Sequence, residues 1–269
     1  MDTNQLLLDA LQCARIAGKI HLEYFRTSRL NVMAKLNEGD IVTAADRASE
    51  AAILEFIHTR YPDHSILSEE SGAESRQSDY QWVIDPLDGT TNFSSGLPIF
   101  SVSIGIRHKG ETVIGVVFAP YLDEMFHAVR GQGAYINGRP IHVREIDDIH
   151  KAVVSTGFPV DKDVNPDNNI DNVARVLPLL RGLRRLGSSA VDISYVAAGF
   201  LDGFWEFNLH EWDVCAGLLI ASEAGAVCHR FRTDRLESVL VASPLVAKHI
   251  KPLLSDKPFT GWHPAICDN

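Results

Sequence analysis

The sequence contains few cysteines, and they are far apart. Its 269 residues include four, Cys13, Cys215, Cys228 and Cys267. They form no CxxC pair and show no zinc-site spacing. We therefore expect reduced thiols in a cytosolic protein rather than a disulfide framework.

Long apolar runs and an excess of positive charge are also missing. No apolar stretch reaches the roughly 18 residues that a membrane-spanning helix needs, so no membrane contact is expected. The first residues mix charges without an apolar run after them, which argues against a signal peptide. The chain has 25 Lys and Arg against 35 Asp and Glu, a net charge of −10. That balance argues against bulk electrostatic binding to nucleic acid, and we expect no direct nucleic-acid partner.

The N-terminal part of the sequence predicts two helices. The first covers about residues 1–28, since apolar residues recur at the helical period. Its predicted buried face consists of Leu7, Leu11, Ala14, Gly18, Leu22 and Phe25. The second helix begins at Thr43, where the T-x-x-D spacing to Asp46 allows a capping box.

The rest of the chain mixes strand and helix patterns. Turn signals separate β-rich runs at 82–85, 100–107, 112–120 and 124–129, which favours an antiparallel meander. The second half predicts helices near 170–183, 191–198, 214–224 and 245–254, and strands at 203–207 and 239–243. The mixed order predicts a layered α+β fold. A polar loop at 161–172 places a soft domain boundary near Asp148, dividing the chain into 1–148 and 149–269.

The most informative stretch is DPLDGTTNF at 85–93. Asp85 stands where an apolar strand ends, Asp88 follows three residues later, and Gly89 permits a sharp turn. Two carboxylates at one turn repel each other unless a cation lies between them, and oxygen ligands favour Mg²⁺ over Ca²⁺ or Mn²⁺. The backbone N–H groups of a helix start beyond Gly89 can hold an anion. A cation beside such an anion cradle indicates phosphate chemistry, although an isolated D-x-x-D-G could equally be a solvated turn with a helix cap.

Three separated motifs together resemble the inositol monophosphatase family of lithium-sensitive, magnesium-dependent phosphatases. They are LSEES at 67–71, DPLDGTTNF at 85–93 and WEFNLHEWDVCAGLLIASEAG at 205–225. The resemblance implies an α-β-α-β-α sandwich, a homodimer and two or three Mg²⁺ ions. It also implies hydrolysis of a small phosphate monoester by direct in-line attack of water, without a covalent nucleophile.

The resemblance also implies roles for single residues. The implied metal ligands are Glu69, Asp85, the carbonyl of Leu87, Asp88 and Asp213. The implied catalytic residues are Glu69, Asp46, which holds an extra magnesium through water, and Thr90, which helps orient the attacking water. The implied substrate contacts are Gly89 and Thr90 for the phosphate, and Ser189, Ala190, Glu206 and Asp213 for the rest of the substrate. Lys35 matches a lysine on a loop over the site.

Several of these positions have simpler interpretations. Asp46 could serve only as the capping partner of Thr43, and Asp213 in isolation would be a helix cap. The residues alone do not choose Glu69 over Glu70. The basic run Arg181, Arg184 and Arg185 is more typical of a solvated face than of a substrate contact.

The sequence departs from the family pattern in places. Ser68 replaces the usual Gly before the glutamate pair, and Ala226 replaces the second Gly of E-A-G-G. The segment 229–238 lacks the usual Asp and Gly turn, so a hairpin there is in doubt.

The sequence leaves several related phosphate esters as candidate substrates. T-T-N-F after D-G looks like the inositol monophosphatase form, which favours inositol 1-phosphate or a similar polyol phosphate. Related enzymes cleave 3′-phosphoadenosine 5′-phosphate, fructose 1,6-bisphosphate or histidinol phosphate. The alternative of another class is a regulatory binding protein that kept the fold, since some bacterial members contact the transcription machinery.

Overall fold

The computed structural model describes residues 2–34 and 41–259, and these form helices layered between β-sheets. The helices are α1 (Thr3–Tyr24), α2 (Ala44–Arg60), α3 (Thr90–Ser94), α4 (Ile170–Val176), α5 (Ser189–Ala197), α6 (Glu211–Glu223) and α7 (Pro244–Ile250). The first ten strands are β1 (Met33–Ala34), β2 (Ile41–Val42), β3 (Ser65–Ser68), β4 (Gly72–Glu74), β5 (Tyr80–Asp88), β6 (Ser101–His108), β7 (Glu111–Ala119), β8 (Glu124–Val129), β9 (Ala134–Ile136) and β10 (Arg139–Ile141). The others are β11 (Val153–Thr156), β12 (Gly182–Arg184), β13 (Gly203–Leu209), β14 (Val227–Arg230) and β15 (Glu237–Ala242). Lys35 and Cys267 lie outside the described residues.

The described strands form a large and a small sheet besides the β1–β2 pair. The large sheet has the order β10-β9-β8-β7-β6-β5-β3-β4, and the small one β12-β11-β13-β15-β14. From β5 to β8 the neighbours are antiparallel, which confirms the predicted meander, whereas β3 and β5 are parallel. Strands β3 to β10, before Asp148, build the large sheet, and the strands after Asp148 build the small one, while the division into two domains stays a prediction.

Three apolar clusters show how the layers stack. Helices α1 and α2 cover one face of the large sheet, packing against residues such as Trp82 and Ile104. Helices α5 and α6 fill the space between the sheets, where Val117 of β7 and Phe204 of β13 meet them. Helix α7 packs on the outer face of the small sheet, against Trp205 and Leu240. This α-β-α-β-α order confirms the predicted sandwich.

The buried face of α1 agrees with the prediction only in part, at Ala14, Gly18 and Phe25, which are buried. Leu22 is 47% exposed and Leu7 and Leu11 are only partly buried, whereas Leu6, Ala10, Cys13, Ala17 and His21 are buried. The face is therefore rotated from the predicted one. The close approach of α1 to the large sheet decides which face is buried, because a Cβ at Gly18 would lie 2.5 Å from the Phe118 ring of β7. Small residues face the sheet and some leucines are left at the edge.

Helix α6 lies unusually close to the large sheet. A Cβ at Gly115 of β7 would be 2.5 Å from the carbonyl oxygen of Ala216, and one at Gly105 of β6 would be 2.5 Å from Cys215 Sγ. Glycines at these places let the helix backbone approach the strands directly. The approach fixes the first turn of α6, including Asp213, relative to the end of β5.

The predicted helix over 170–183 was too long. Helix α4 ends at Val176, a 3₁₀ turn with Pro178 follows, and Gly182–Arg184 is the edge strand β12. Proline cannot continue a helix because it lacks the N–H and clashes with the preceding turn. Strand β12 pairs in parallel with β11, which the sequence patterns did not predict.

The hairpin around 229–238, which the sequence left in doubt, is present in the structure. Strands β14 and β15 pair antiparallel from Val227↔Ala242 to Arg230↔Val239. The segment that connects β14 to β15 carries two arginines that bind the polar loop at 161–169. We call Asp161, Asp167, Arg232, Asp234 and Arg235 the arginine–aspartate network. Arg232 donates to both oxygens of Asp167, at 2.9 and 2.8 Å, and Arg235 donates to both oxygens of Asp161, at 3.0 and 2.9 Å. These ion pairs hold the connection, which lacks the usual Asp and Gly turn, against the loop at 161–169.

No helix in residues 2–34 and 41–259 combines the length and apolar character needed to cross a bilayer. Three of the cysteines, Cys13, Cys215 and Cys228, are free thiols, as expected.

Candidate functional site

Four acidic side chains meet where β3, β5 and α6 come together; we call Glu69, Asp85, Asp88 and Asp213 the acidic cluster. Because β3 and β5 run parallel, their carboxyl ends lie at one edge of the sheet. Glu69 follows β3, and its N–H donates to the Ile84 carbonyl at 3.2 Å. Asp85 and Asp88 end β5 across a register shift, and Asp213 lies in the first turn of α6.

Burial and mutual repulsion both raise the pKa values of the aspartates in this cluster. Burial, followed by the charges of Glu69, Asp88 and Asp213, raises the pKa of Asp85 well above its usual value. Burial and the Asp88 charge likewise raise the pKa of Asp213, although its carboxylate accepts from the His210 N–H at 2.7 Å. Carboxylates this close resist ionising together. Neither Asp85, Asp88 nor Asp213 forms an ion pair with any described residue.

Asp88 is held at the start of α5. Its Oδ2 accepts from Ser188 Oγ at 2.5 Å and from the Ala190 N–H at 2.8 Å, and its Oδ1 from the Ser189 N–H at 3.3 Å. Burial raises the pKa of Asp88 to about 6 against these hydrogen bonds, which favour the charged form. The contacts join the predicted phosphate turn to the predicted substrate segment.

Asp46 caps α2, as its spacing to Thr43 predicted, and also contacts Thr90, whereas its role towards magnesium stays a prediction. Its Oδ2 accepts from the N–H and the hydroxyl of Thr43, at 2.8 and 2.5 Å, which completes the predicted capping box. Its Oδ1 lies 3.0 Å from Thr90 Oγ1, which is also 3.0 Å from the Leu87 carbonyl. Burial raises the pKa of Asp46 to about 6, against the hydrogen bonds from Thr43 and Thr90. The cap therefore also orients the Thr90 hydroxyl.

Glu206 lies on the inner side of β13. Alternation along the strand puts it on the same face as Phe204, towards the middle layer. Its carboxylate lies against Gly157, where a Cβ would be only 2.0 Å from Oε2, and accepts from Ser189 Oγ at 3.5 Å. Burial raises the pKa of Glu206 to about 7, and the nearby Arg185 opposes that rise.

Sequence reasoning missed residues that support the site. Glu50 of α2 accepts from Ser68 Oγ at 2.5 Å and from the N–H of Ser71 at 3.1 Å, so it fixes the turn that carries Glu69. His21 of α1 binds the Pro86 carbonyl through Nε2 at 2.8 Å. Burial lowers the pKa of His21 to about 4, so the ring is neutral at pH 7 and donates this bond. The serines of LSEES were the only sequence signal for Glu50.

The donor set fits a hard divalent cation. All its members are oxygen ligands, and their buried like charges need a positive partner. In the described part of the chain, no three His, Cys, Asp or Glu side chains already surround one point at ligand spacing. The site is therefore a group of neighbouring carboxylates, of which Asp88 also accepts hydrogen bonds from the start of α5.

Gly89 forms the turn between the acidic cluster and α3. It has a left-handed conformation, φ 91°, and α3 begins at Thr90 immediately after it. A Cβ on Gly89 would lie 3.2 Å from the Gly187 carbonyl, so the turn packs against the segment that leads into α5. The structure thus brings the predicted phosphate turn, the acidic cluster and Glu206 to one region.

Comparisons with known proteins agree with this arrangement. The sequence model of the inositol monophosphatase family matches residues 2–257. Nus factor SuhB of Pasteurella multocida is 44% identical, covering 94% of this chain and 98% of its own length. An inositol monophosphatase structure from Anabaena is 35% identical, with a TM-score of 0.85, 97% of this chain and all of its own covered. The Thermotoga maritima enzyme IMPase is 34% identical, with a TM-score of 0.82 over 91% of this chain and 94% of its own.

These matches cover nearly the whole chain and support phosphatase activity at the level of a family that is generally metal-dependent. Together with the acidic cluster and the layered fold, they show that the chain belongs to the inositol monophosphatase family.

Proposed function

We propose that the protein is a Mg²⁺-dependent phosphomonoesterase that hydrolyses inositol 1-phosphate or a similar polyol phosphate. The observation that carries the proposal is the acidic cluster, in which buried Asp85 and Asp88 lie beside half-buried Asp213 without an ion pair in the described chain. A structural cluster of this kind would be costly, because buried charges need partners. A phosphate site with divalent cations gives the cluster its counter-charge.

Each part of the site has a task in this proposal. Glu69, Asp85, Asp88, Asp213 and the Leu87 carbonyl would hold two or three Mg²⁺ ions. When bound, Mg²⁺ would supply charge neutralisation at the phosphoryl oxygens and lower the pKa of water. The Gly89 and Thr90 N–H groups would hold the phosphate, and Thr90 Oγ1, fixed by Asp46, would orient the attacking water. Phosphoryl transfer needs mainly such positioning and charge stabilisation.

The alcohol side of the substrate would face Ser189, Ala190 and Glu206. A carboxylate only accepts hydrogen bonds, so Glu206 suits a hydroxyl and repels a second phosphate. The relatives named inositol monophosphatase, in Anabaena and Thermotoga, support this substrate class.

The test is phosphate release with and without Mg²⁺ on a panel of substrates. The panel contains inositol 1-phosphate, 3′-phosphoadenosine 5′-phosphate, fructose 1,6-bisphosphate and histidinol phosphate. We expect Mg²⁺-dependent turnover with the highest kcat/KM on inositol 1-phosphate. Preference for another member would change the substrate, and no release from any of them would refute the enzyme.

A second function, as a regulatory binding protein, is favoured by the name Nus factor SuhB of the Pasteurella relative. The name conflicts in part with the expectation that no nucleic acid is involved. An Asp88→Asn variant separates the phosphatase role from the binding role, because it should lose hydrolysis and keep the fold. We expect it to keep any binding to purified RNA polymerase that the wild type shows, measured by interferometry. Absence of binding by the wild type would remove this second role.

A further inference from the structure

His21 of α1 lies beneath the DPLDG turn at 85–89, in an apolar pocket. Its ring is fully buried and meets the rings of Phe93 and Phe100 edge-on, at centroid distances of 6.0 and 5.9 Å. Nε2 lies 2.8 Å from the Pro86 carbonyl oxygen. Because a carbonyl only accepts, the hydrogen is on Nε2, and Nδ1 has no hydrogen-bond partner in the described part of the chain. An apolar side chain would avoid the cost of that unpaired nitrogen, so packing alone does not explain a histidine here.

His21 is the main donor to the Pro86 carbonyl. The hydroxyl of Ser49 on α2 is also near this carbonyl, at 3.3 Å. It lies closer to the carbonyls of Ala45 and Asp46, at 2.7 and 3.0 Å, and its single hydrogen can serve only one acceptor well. The position of the Pro86 carbonyl is therefore set mainly from α1.

One peptide group connects this bond to the acidic cluster. The Pro86 carbonyl and the Leu87 N–H belong to the same planar, trans peptide and point in opposite directions. That N–H donates to Asp85 Oδ1 at 3.0 Å. A donor that fixes the carbonyl on one side thus fixes the direction of the N–H on the other. Linked hydrogen bonds also polarise one another, and they are stronger in a buried, low-dielectric place.

We infer that His21 is a positioning residue of the proposed cation site: it holds the Pro86–Leu87 peptide, and this peptide orients the Asp85 carboxylate for Mg²⁺. Groups that hold metal ligands without touching the metal typically change metal affinity by about 10- to 100-fold when they are lost. The inference rests on the proposed function, in which Asp85 is a cation ligand. It adds a residue of α1, which lies outside all three motifs.

The test is calorimetric titration of Mg²⁺ into the protein without substrate. Two amides move the donor, because the amide nitrogen of Gln reaches the place of Nε2 and that of Asn only the place of Nδ1. His21→Asn and His21→Leu should raise the Kd for Mg²⁺ about tenfold, and His21→Gln should stay within about threefold of the wild type. In assays, the Mg²⁺ concentration for half-maximal rate should rise in parallel. Both kcat at saturating Mg²⁺ and KM for inositol 1-phosphate should change less than about twofold, because His21 touches neither substrate nor cation.

Tyr61→Phe is the matched control. It removes another buried hydrogen bond of α1, from the Tyr61 hydroxyl to Asp9, which does not involve the turn. It should lower the metal-free Tm at least as much as His21→Leu does and leave the Kd for Mg²⁺ unchanged. A similar loss of Mg²⁺ affinity in the control would show that any weakening of α1 has this effect, and the positioning role would be wrong.

Other outcomes decide between a positioning and a structural role. Wild-type Mg²⁺ affinity in His21→Asn, or equal losses in His21→Asn and His21→Gln, would overturn the inference. Failure of all three His21 variants to fold would overturn it too, since the histidine would then serve the fold. If His21→Leu alone fails to fold, the two amide variants decide.

The proposed function fails in a different way. A wild type that binds no Mg²⁺ refutes the cation site, and the role of His21 with it. A wild type that binds Mg²⁺ with the expected order of Kd values, but releases phosphate from no ester, refutes the phosphatase and leaves the positioning role supported.

Discussion

The molecule contains two groups of carboxylates, each with buried members, that are built in opposite ways. In the arginine–aspartate network, the side chains of Arg232 and Asp167 are 1% and 7% exposed and pair through both guanidinium nitrogens. Although burial opposes it, the paired arginines lower the pKa of Asp167. In the acidic cluster, burial and like charges raise the pKa of Asp85 and Asp213. The first group carries its own cations, and the second has to obtain them from outside.

That difference separates structural charge from functional charge. The network joins the loop at 161–169 to the β14–β15 connection, and both its arginines also lie over the Phe207 ring, at 4.8 and 5.4 Å. It is a stabilising connection between two irregular segments. The acidic cluster joins strand ends and a helix start that other contacts already hold, so its charges are a cost in the metal-free protein.

The largest expected effect is on catalysis, in the acidic cluster. Asp88→Asn and Asp213→Asn should each lower Mg²⁺-dependent kcat by orders of magnitude, because both remove a proposed cation ligand. Their metal-free stability should stay level or rise, since each removes one repelling charge. Melting and assays with and without Mg²⁺ check this, and Mg²⁺ should raise the wild-type Tm more than that of either variant. A variant that stays active, or fails to fold without metal, would show that the residue is structural.

The next effect is on stability, in the network. Asp167→Asn should lower the free energy of unfolding by about 3–5 kcal/mol, because it leaves buried Arg232 short of its partner. The control is Asp234→Asn, whose side chain is 39% exposed and whose loss should cost about 1 kcal/mol or less. Urea denaturation measures both. If Asp167→Asn were as mild as the control, the network would contribute little to stability.

A smaller effect is the dependence of stability on pH, to which the acidic cluster and the arginine–aspartate network should contribute with opposite signs. In EDTA, protonation of Asp46 and Asp88 between pH 7 and 5 should stabilise the folded protein, because their pKa values are raised to about 6 there. Buried His21, whose pKa is lowered to about 4, opposes this gain, so the measurement compares variants. Asp88→Asn should lose part of this gain, on the order of 1 kcal/mol. Asp167 acts oppositely: its pKa is lowered, so its contribution disappears only as the pH falls below its usual value. If the metal-free stability of Asp88→Asn depended on pH between 7 and 5 in the same way as that of the wild type, this expectation would be contradicted.

The smallest effect concerns Glu50, a buried acid held by hydroxyl and backbone donors rather than cations. Ser68→Ala removes the Ser68 bond and leaves those from Ser71. We expect a loss of about 1 kcal/mol in stability and a minor change in kcat. Glu50→Gln, which alters every bond at once, provides the comparison. A large loss of activity in Ser68→Ala would mean that this hydroxyl controls Glu69 directly.

Local signals in the sequence predicted the parts of the fold that depend on neighbouring residues. The capping box of Thr43 and Asp46 was predicted from spacing alone, and the meander from its strand runs and turns. The buried face of α1 was predicted only in part: Ala14, Gly18 and Phe25 are buried, but close packing at Gly18 turns Leu22 towards solvent. Strand β11 was missed because Ser155 and Thr156 are polar yet fully buried.

The site shows the same limit. Its proposed ligands could be named from three motifs, but their supports could not, because they come from distant segments. Glu50 and His21 reach the site from helices whose own patterns say nothing about it. Arg185 belongs to a basic run that is typical of a solvated face, and it is indeed exposed.

The place of α6 between the two sheets has a kinetic consequence. Asp213 reaches the ends of β3 and β5 only once this helix lies against Gly105 and Gly115. The complete ligand set is thus formed by chain segments far apart in sequence, and it is expected to form late in folding. Mg²⁺ would then lower the unfolding rate and leave the folding rate nearly unchanged. The bound ion would thus make the folded protein longer-lived without making it fold faster.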